Sequence, residues 1–110
     1  MTTDPDTRLQ KLIRRLKSAD ELKRIHAGLL LGEMGAEAGK AVPTLLELLH
    51  DENVKHRKIA VWTLGKIGQR AVEAVPALHV ALRDTNEEVR NMARESLEKI
   101  SPSSTQVRAA

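Results

Sequence analysis

Cysteine, tyrosine and phenylalanine are all missing from this chain of 110 residues, and tryptophan occurs once, as Trp62. Without cysteine there is no disulfide, no thiolate metal ligand and no cysteine nucleophile. With a single aromatic side chain, the interior has to be built from aliphatic residues. No apolar run reaches the roughly eighteen residues of a membrane span, and the N-terminus has no signal-peptide hydrophobic region. We therefore expect a soluble, cytoplasmic protein.

The charged residues are numerous and mixed in sign. Lys and Arg together number 18, Asp and Glu 15, and the formal net charge is +3. Charges distributed this evenly are typical of a solvated surface and do not by themselves indicate an acidic partner.

An internal repeat becomes visible when the chain is shifted by 33 positions. Pro43 then falls on Pro76, Asp51 on Asp84 and Asn53 on Asn86. Three positions stay small or aliphatic in every copy: Ala27/Ala60/Ala93, Leu31/Leu64/Leu97 and Met34/Ile67/Ile100. A fixed period of this length is the mark of a repeat architecture, in which each copy is one supersecondary unit.

Each copy has the pattern of two helices. In the second copy the first helix carries a leucine cluster behind Pro43, an early helical position that proline favours. The second helix is predicted from about Val54 to Ile67, with Asn53 as N-cap and Gly68 as its terminator. The equivalent caps are Asp20 and Asn86, although Ser18 followed by Glu21 offers a rival capping box in copy one. Because no segment alternates as a strand does, we predict an all-α protein.

The second copy, from Ala41 to Asp51 and on through Arg57, Ala60, Leu64 and Gly68, resembles a HEAT-like repeat, in particular the short kind first noted in bilin-lyase-type proteins. The resemblance covers residues 9–101. It implies a right-handed α-solenoid, a superhelix of three HEAT-like helix-pair repeats at about 9–41, 42–74 and 75–101. These would form a single domain over 1–101, followed by a disordered tail at 102–110. The resemblance also implies that Asp51 and Asp84 bridge neighbouring repeats through Arg57 and Arg90.

The outer faces of the two terminal copies carry polar substitutions. Arg15 stands where the second copy has Leu48, Arg94 stands where it has Val61, and Ser101 replaces the terminating glycine. End copies of a solenoid need such polar faces because nothing packs against them. The pattern predicts a finished protein of three copies.

A second apolar stripe lies on the second helices, away from the core. On helix Val54–Ile67, the face with Lys55, Ile59, Trp62 and Lys66 points about 160° away from the core stripe at 100° per residue. The resemblance places this face on the concave wall of the solenoid. The predicted partner-binding residues are Ile25, Leu29, Lys55, Ile59, Trp62, Lys66 and Met92, with His26, Lys58 and Lys99 also on the rim.

An apolar patch with a charged rim and the only tryptophan is typical of a protein-binding surface. We therefore predict a non-enzymatic interaction module or scaffold that binds another protein or a second copy of this chain as a homodimer. Two alternatives without a binding function remain: the solenoid curves enough to cover the patch, or the exposed aliphatic residues are merely scattered.

Other kinds of function find less support. The basic segment Arg8, Lys11, Arg14, Arg15 and Lys17 could lie along phosphates of DNA, or could simply be a polar end helix. An accessory role beside a lyase is implied by the family resemblance alone. The four histidines lack zinc-binding spacing, and His79 is expected to be partly buried. No metal, cofactor, small-molecule substrate or catalytic residue is predicted, and the protein is not expected to be an enzyme.

Overall fold

The computed structural model describes residues 5–102, with side chains from Thr7 onward. Six α-helices form three antiparallel pairs: α1 (Pro5–Arg15) with α2 (Glu21–Met34), α3 (Val42–Leu48) with α4 (Val54–Ile67), and α5 (Val75–Ala81) with α6 (Glu87–Ile100). Two 3₁₀ segments, Gly35–Ala41 and Gly68–Ala74, connect the pairs. This part of the chain contains no strand, so the all-α prediction is confirmed. Most of the predicted disordered tail lies outside the described residues.

The second helices begin at the caps that the repeat indicates. Oδ1 of Asp20 accepts hydrogen bonds from the amides of Leu22 and Lys23, and the side chains of Asn53 and Asn86 cap α4 and α6 in the same way. These bonds satisfy amides that have no partner inside the helix. The rival capping box at Ser18 is wrong, because the Ser18 hydroxyl instead accepts from the amide of Asp20.

The ends of α2 and α4 require glycine. Gly35 has a φ of 62° and Gly68 a φ of 77°, a region of backbone conformation that side chains with a Cβ rarely adopt. At this turn the chain leaves the helix and enters the 3₁₀ segment that leads to the next pair. The third copy uses Ser101 instead, in an extended conformation with φ −148°.

The core lies between two layers of helices. The first helices α1, α3 and α5 pack on their partners α2, α4 and α6, and the second helices also pack side by side in chain order. The largest fully buried side chains come from equivalent positions of the repeat, among them Leu31, Leu64 and Leu97. This packing of successive, similar pairs confirms the α-solenoid.

Hydroxyl groups join the second helices at two equivalent places. The Thr63 hydroxyl donates to the carbonyl of Gly28 over 2.9 Å, and the Ser96 hydroxyl donates to the carbonyl of Val61 over 2.7 Å. Both hydroxyl-bearing residues are buried. Each bond therefore crosses from one repeat to the next and draws the helix backbones together.

Arginine–aspartate pairs join neighbouring repeats, as the resemblance implies, but one of the two arginines differs from the expected one. Arg24 contacts Asp51 at 3.1 Å, and Arg57 binds both carboxylate oxygens of Asp84 at 2.9 and 3.0 Å. Both aspartates therefore bridge neighbouring repeats as expected, and Arg57 is one of the bridging arginines. The other is Arg24 and not Arg90, because the bridging arginine comes from the preceding repeat. Within its own repeat, each arginine donates to a backbone carbonyl instead; Arg90, for example, donates to that of Asp84.

These bonds also set the acidity of Asp84. Burial on its own raises the pKa of the carboxyl, but the hydrogen bonds from Arg57 and from the amide of Asn86 lower it. The positive charges of Arg57 and Arg90 act in the same direction, so the net result is a pKa below the ordinary 3.8. The carboxylate is therefore held in its charged form in the folded protein.

Candidate groove on the second helices

The face of α2, α4 and α6 that points away from the first helices carries an open groove of about 250 Å³. The groove is lined by Ile25, Leu29, Lys55, Lys58, Ile59, Trp62 and Met92. Six of the seven predicted partner-binding residues are therefore brought together. The seventh, Lys66, stands beside the groove, with its ammonium 5.8 Å from the centroid of the Trp62 ring. Their role in binding a partner stays a prediction.

Ile59 forms the floor of the groove, whereas the stripe pattern suggested an exposed side chain. Only 7% of Ile59 is accessible. The reason is Gly28 on α2: a methyl group added there would lie 2.3 Å from Cγ1 of Ile59, so the isoleucine occupies the space that the glycine leaves open. The close approach of α2 to α4 thus buries Ile59 at their interface.

Trp62 forms one wall and is half-buried. The edge of its ring rests on α2 at Gly32, where an added methyl group would lie 2.4 Å from Cζ3. The ammonium of Lys66 stands over the ring one helical turn further along α4, at a distance suited to a cation–π interaction. The indole is therefore held in place before any partner arrives, which lowers the entropic cost of using it as an anchor.

The rim is less positive than its lysines suggest. Lys55 pairs with Glu21 of α2 at 3.3 Å, and Lys58 pairs with Glu88 of α6. All four side chains come from the N-terminal parts of their helices, so these two ion pairs border one end of the groove. Lys66 lies in the last turn of α4, at the other end.

A row of apolar side chains continues the groove along α2. Leu22 is 77% exposed and Leu29 is 42% exposed, and half-buried Ile25 lies between them at helical spacing. Leu22 was missed at the sequence level, although its separation from Ile25 and Leu29 follows the i, i+3, i+7 pattern. The groove therefore has an apolar margin about 10 Å long on one side.

Other groups that the sequence singled out do not form a reactive site. His56 is buried between Arg24 and Asp51, with its Nδ1 2.9 Å from the guanidinium and 3.2 Å from the carboxylate, and its Nε2 has no hydrogen-bond partner. His79 is exposed, so its expected partial burial is wrong. Among the side chains described, those of residues 7–102, no group of three or more metal-ligating residues comes together. None of the described helices is long and apolar enough to cross a membrane.

Comparison with known proteins supports the architecture. The family model of HEAT repeats matches residues 9–98. None of the curated proteins compared with the sequence is significantly similar to it. Among solved structures, the chain is similar to the crystal structure of an engineered protein from the Northeast Structural Genomics Consortium, with 27% identity and a TM-score of 0.73. That match covers 84% of this chain and 45% of the engineered one, so the present chain spans less than half of its length. With three equivalent helix pairs and a family match over residues 9–98, the chain belongs to the HEAT-repeat family.

Proposed function

We propose that this protein is a non-enzymatic interaction module that binds an amphipathic helix of another protein in the groove on its second helices. HEAT repeats generally mediate protein–protein interactions, and members of the family are typically scaffolds. The observation that supports this role is the groove itself, in which apolar side chains from three successive second helices surround the half-buried Trp62.

The size of the groove favours a protein partner over a small molecule. At about 250 Å³ it lies below the roughly 300–1,000 Å³ of sites that enclose drug-sized ligands. An opening of this size accepts one large apolar side chain, in the way that a central anchor is taken up at protein interfaces. The apolar margin of Leu22, Ile25 and Leu29 extends the contact along α2 and suits a helix whose apolar residues recur at i, i+3 or i+4, and i+7.

The lysines at the two ends of the groove further restrict the charge pattern of a partner helix. At one end of the groove, Lys55 and Lys58 are paired with glutamates and attract no additional carboxylate strongly. At the other end, Lys66 is exposed and Lys99 occupies the equivalent position of α6. We expect the partner helix to carry an acidic residue about one turn from its apolar anchor, placed beside Lys66.

The experiment selects peptides from a displayed library of amphipathic helices and titrates the selected peptide against the protein, with Trp62 emission as the signal. Because the chain has no tyrosine or phenylalanine, the emission reports on the groove alone. We expect a blue shift on binding. Trp62→Glu leaves no tryptophan to observe, so its binding is measured by the anisotropy of the same peptide carrying a fluorescent label. It should bind about thirtyfold more weakly or worse, since burial of the indole contributes about 2 kcal/mol.

Val80→Glu is the matched control. It places the same charge on an apolar side chain of α5 that is 67% exposed, outside the groove. This variant should bind like the wild type, and both variants should keep their helicity by circular dichroism. Equal loss of binding in the two variants, or selected peptides that bind without any change in emission, would contradict the proposal.

Molar mass measured over a range of protein concentrations tests the alternative occupant, a second copy of the chain. We expect a monomer at all concentrations. A mass that doubles as concentration rises, and that returns to the monomer value in Trp62→Glu, would assign the groove to self-association instead.

A further inference from the structure

A second surface, separate from the groove, is built almost entirely from basic side chains. A cleft of about 340 Å³ lies where α1 leads into α2, and it is lined by Lys11, Arg14, Arg15, Ser18 and Lys23. The four cations are exposed, and Ser18 is half-buried at the base of the turn. Four positive charges thus converge on one concavity.

No described carboxylate forms an ion pair with any of these four cations. By contrast, Arg24, Arg57 and Lys58 of the second helices each have an acidic partner in the next repeat. Near the cleft, Oδ1 of Asp20 is engaged by two backbone amides, and Glu21 is directed to Lys55. Among the side chains that the structure describes, from Thr7 to Pro102, none is paired with the cations of the cleft and neutralises their charge.

The position of α1 at the end of the solenoid explains why its outer face is polar. It does not explain why all the charges on that face are positive. An outer face of a solenoid is adequately solvated by lysine and glutamate mixed, as α6 shows with exposed Arg94, Glu95 and Glu98. In contrast, no acidic residue occurs from Thr7 to Ala19. The equivalents of Arg14 and Arg15 in the second copy are Glu47 and Leu48, so the basic set is particular to the first copy.

The charges also extend beyond the cleft in a row. Arg8, Lys11 and Arg15 are separated by three and four residues, which places them on one face of α1 over about 10 Å. A row of exposed, flexible cations matches a ligand with repeating negative charge better than it matches a single small anion, which is usually enclosed by fixed donors. Duplex nucleic acid presents one phosphate charge per about 1.7 Å of its axis.

We propose that this basic surface binds the phosphate backbone of a double-stranded nucleic acid without reading its sequence. A single strand fits less well, because single-strand binding relies on aromatic stacking and the only aromatic residue, Trp62, lies in the groove of the second helices. The proposal is independent of the function assigned to that groove.

The test measures fluorescence anisotropy of a short labelled duplex of arbitrary sequence, titrated with the full chain from about 20 mM to about 200 mM salt. We expect micromolar dissociation constants at the lowest salt and a steep loss of affinity as salt rises. The triple variant Lys11→Gln, Arg14→Gln, Arg15→Gln should bind at least tenfold more weakly at low salt. Its slope of log affinity against log salt should become shallower by about 1 for each phosphate that the variant no longer neutralises.

A triple variant with the same change in net charge serves as the control: Arg70→Gln, Arg83→Gln, Lys99→Gln, all exposed and in the second and third copies. This control should keep most of the affinity for the duplex. Trp62→Glu adds one negative charge in the groove, and its loss of affinity for the duplex should be no larger than that one charge accounts for. No binding at the lowest salt, or equal losses in the two triple variants, would overturn the proposal. Binding to phosphatidylserine vesicles but not to the duplex would also overturn it, in favour of a lipid surface.

Discussion

Gly32 and Gly65 occupy the same position in two successive interfaces between second helices, yet an added methyl group would meet different neighbours at the two sites. At Gly65 it would lie 2.5 Å from Oγ, 2.9 Å from Cβ and 3.1 Å from Cα of Ser96. At Gly32 the nearest atoms, at 2.4 and 2.9 Å, belong to the ring edge of Trp62. The first obstruction includes backbone, whereas the second is the far end of a side chain.

The expected changes in the free energy of unfolding follow from this difference. Because alanine has the higher helix propensity, replacing either glycine by alanine stabilises its helix by about 1 kcal/mol. At Gly65 the backbones of α4 and α6 have to separate, which costs about 3 kcal/mol as overpacking and strains the bond from Ser96 to Val61. We therefore expect Gly65→Ala to lower the free energy of unfolding by about 2 kcal/mol. In Gly32→Ala the indole can swing toward the open groove for about 1 kcal/mol, so the net change should be near zero.

Urea unfolding followed by far-UV circular dichroism measures both variants. The midpoint of Gly65→Ala should fall by about 1 M, and that of Gly32→Ala should stay near the wild type while the native Trp62 emission shifts. The pair Glu98→Gly and Glu98→Ala, at the equivalent exposed position of α6, measures the difference in propensity between glycine and alanine alone. Equal losses of stability in the two glycine variants, or unfolding of Gly65→Ala at the wild-type urea concentration, would show that Ser96 does not obstruct the added methyl group more than Trp62 does.

The remaining predictions concern the contacts between repeats. Because the pKa of Asp84 is lowered in the folded state, its contribution to stability is present above the ordinary value of 3.8 and is lost as pH falls through the lower, folded value. Asp84→Asn should therefore cost about 2 kcal/mol at neutral pH and flatten the acid side of a stability-against-pH curve measured by thermal unfolding. His56→Val should raise the free energy of unfolding by about 1 kcal/mol, because it removes the buried Nε2 that has no partner and installs the residue found at the equivalent buried position, Val89. A lower melting temperature for this variant would show that the Nδ1 contact with Arg24 outweighs the unsatisfied nitrogen.

Helix positions could be predicted closely from the sequence because three copies report on the same boundaries. The predicted range of the second helix, Val54 to Ile67, coincides with α4, and the caps Asp20, Asn53 and Asn86 all accept the expected bonds. Helical periodicity identified the apolar face of α4, and the repeat together with the family resemblance placed the matching residues of α2 and α6 beside it. The helix positions depend on local information, the spacing within one helix and its termini, whereas the groove also required the stacking of repeats that the resemblance implies.

Contacts across helices could not be predicted in the same way. The register of the arginine–aspartate pairs depends on which neighbour an arginine side chain reaches, and a period of the sequence fits either repeat equally well. Burial of Ile59 depends on the distance between α2 and α4, which Gly28 shortens. The partial burial expected of His79 from its equivalents Ile13 and Leu46 does not occur, because no described helix covers that side of α5.

The ion pairs from Arg24 to Asp51 and from Arg57 to Asp84 both run from one repeat to the next. This has a consequence for the gain or loss of whole repeats. Arg24 and Arg57 occupy equivalent positions, as do Asp51 and Asp84, and as do Thr63 and Ser96. Excision of one whole unit, residues 42–74, would therefore bring Arg24 opposite Asp84 and the hydroxyl of Ser96 opposite the carbonyl of Gly28. The junction would be formed by the same kinds of atoms as before. Gain or loss of a unit is therefore a conservative change for this architecture, whereas a deletion of any other size would misalign both kinds of bond at once.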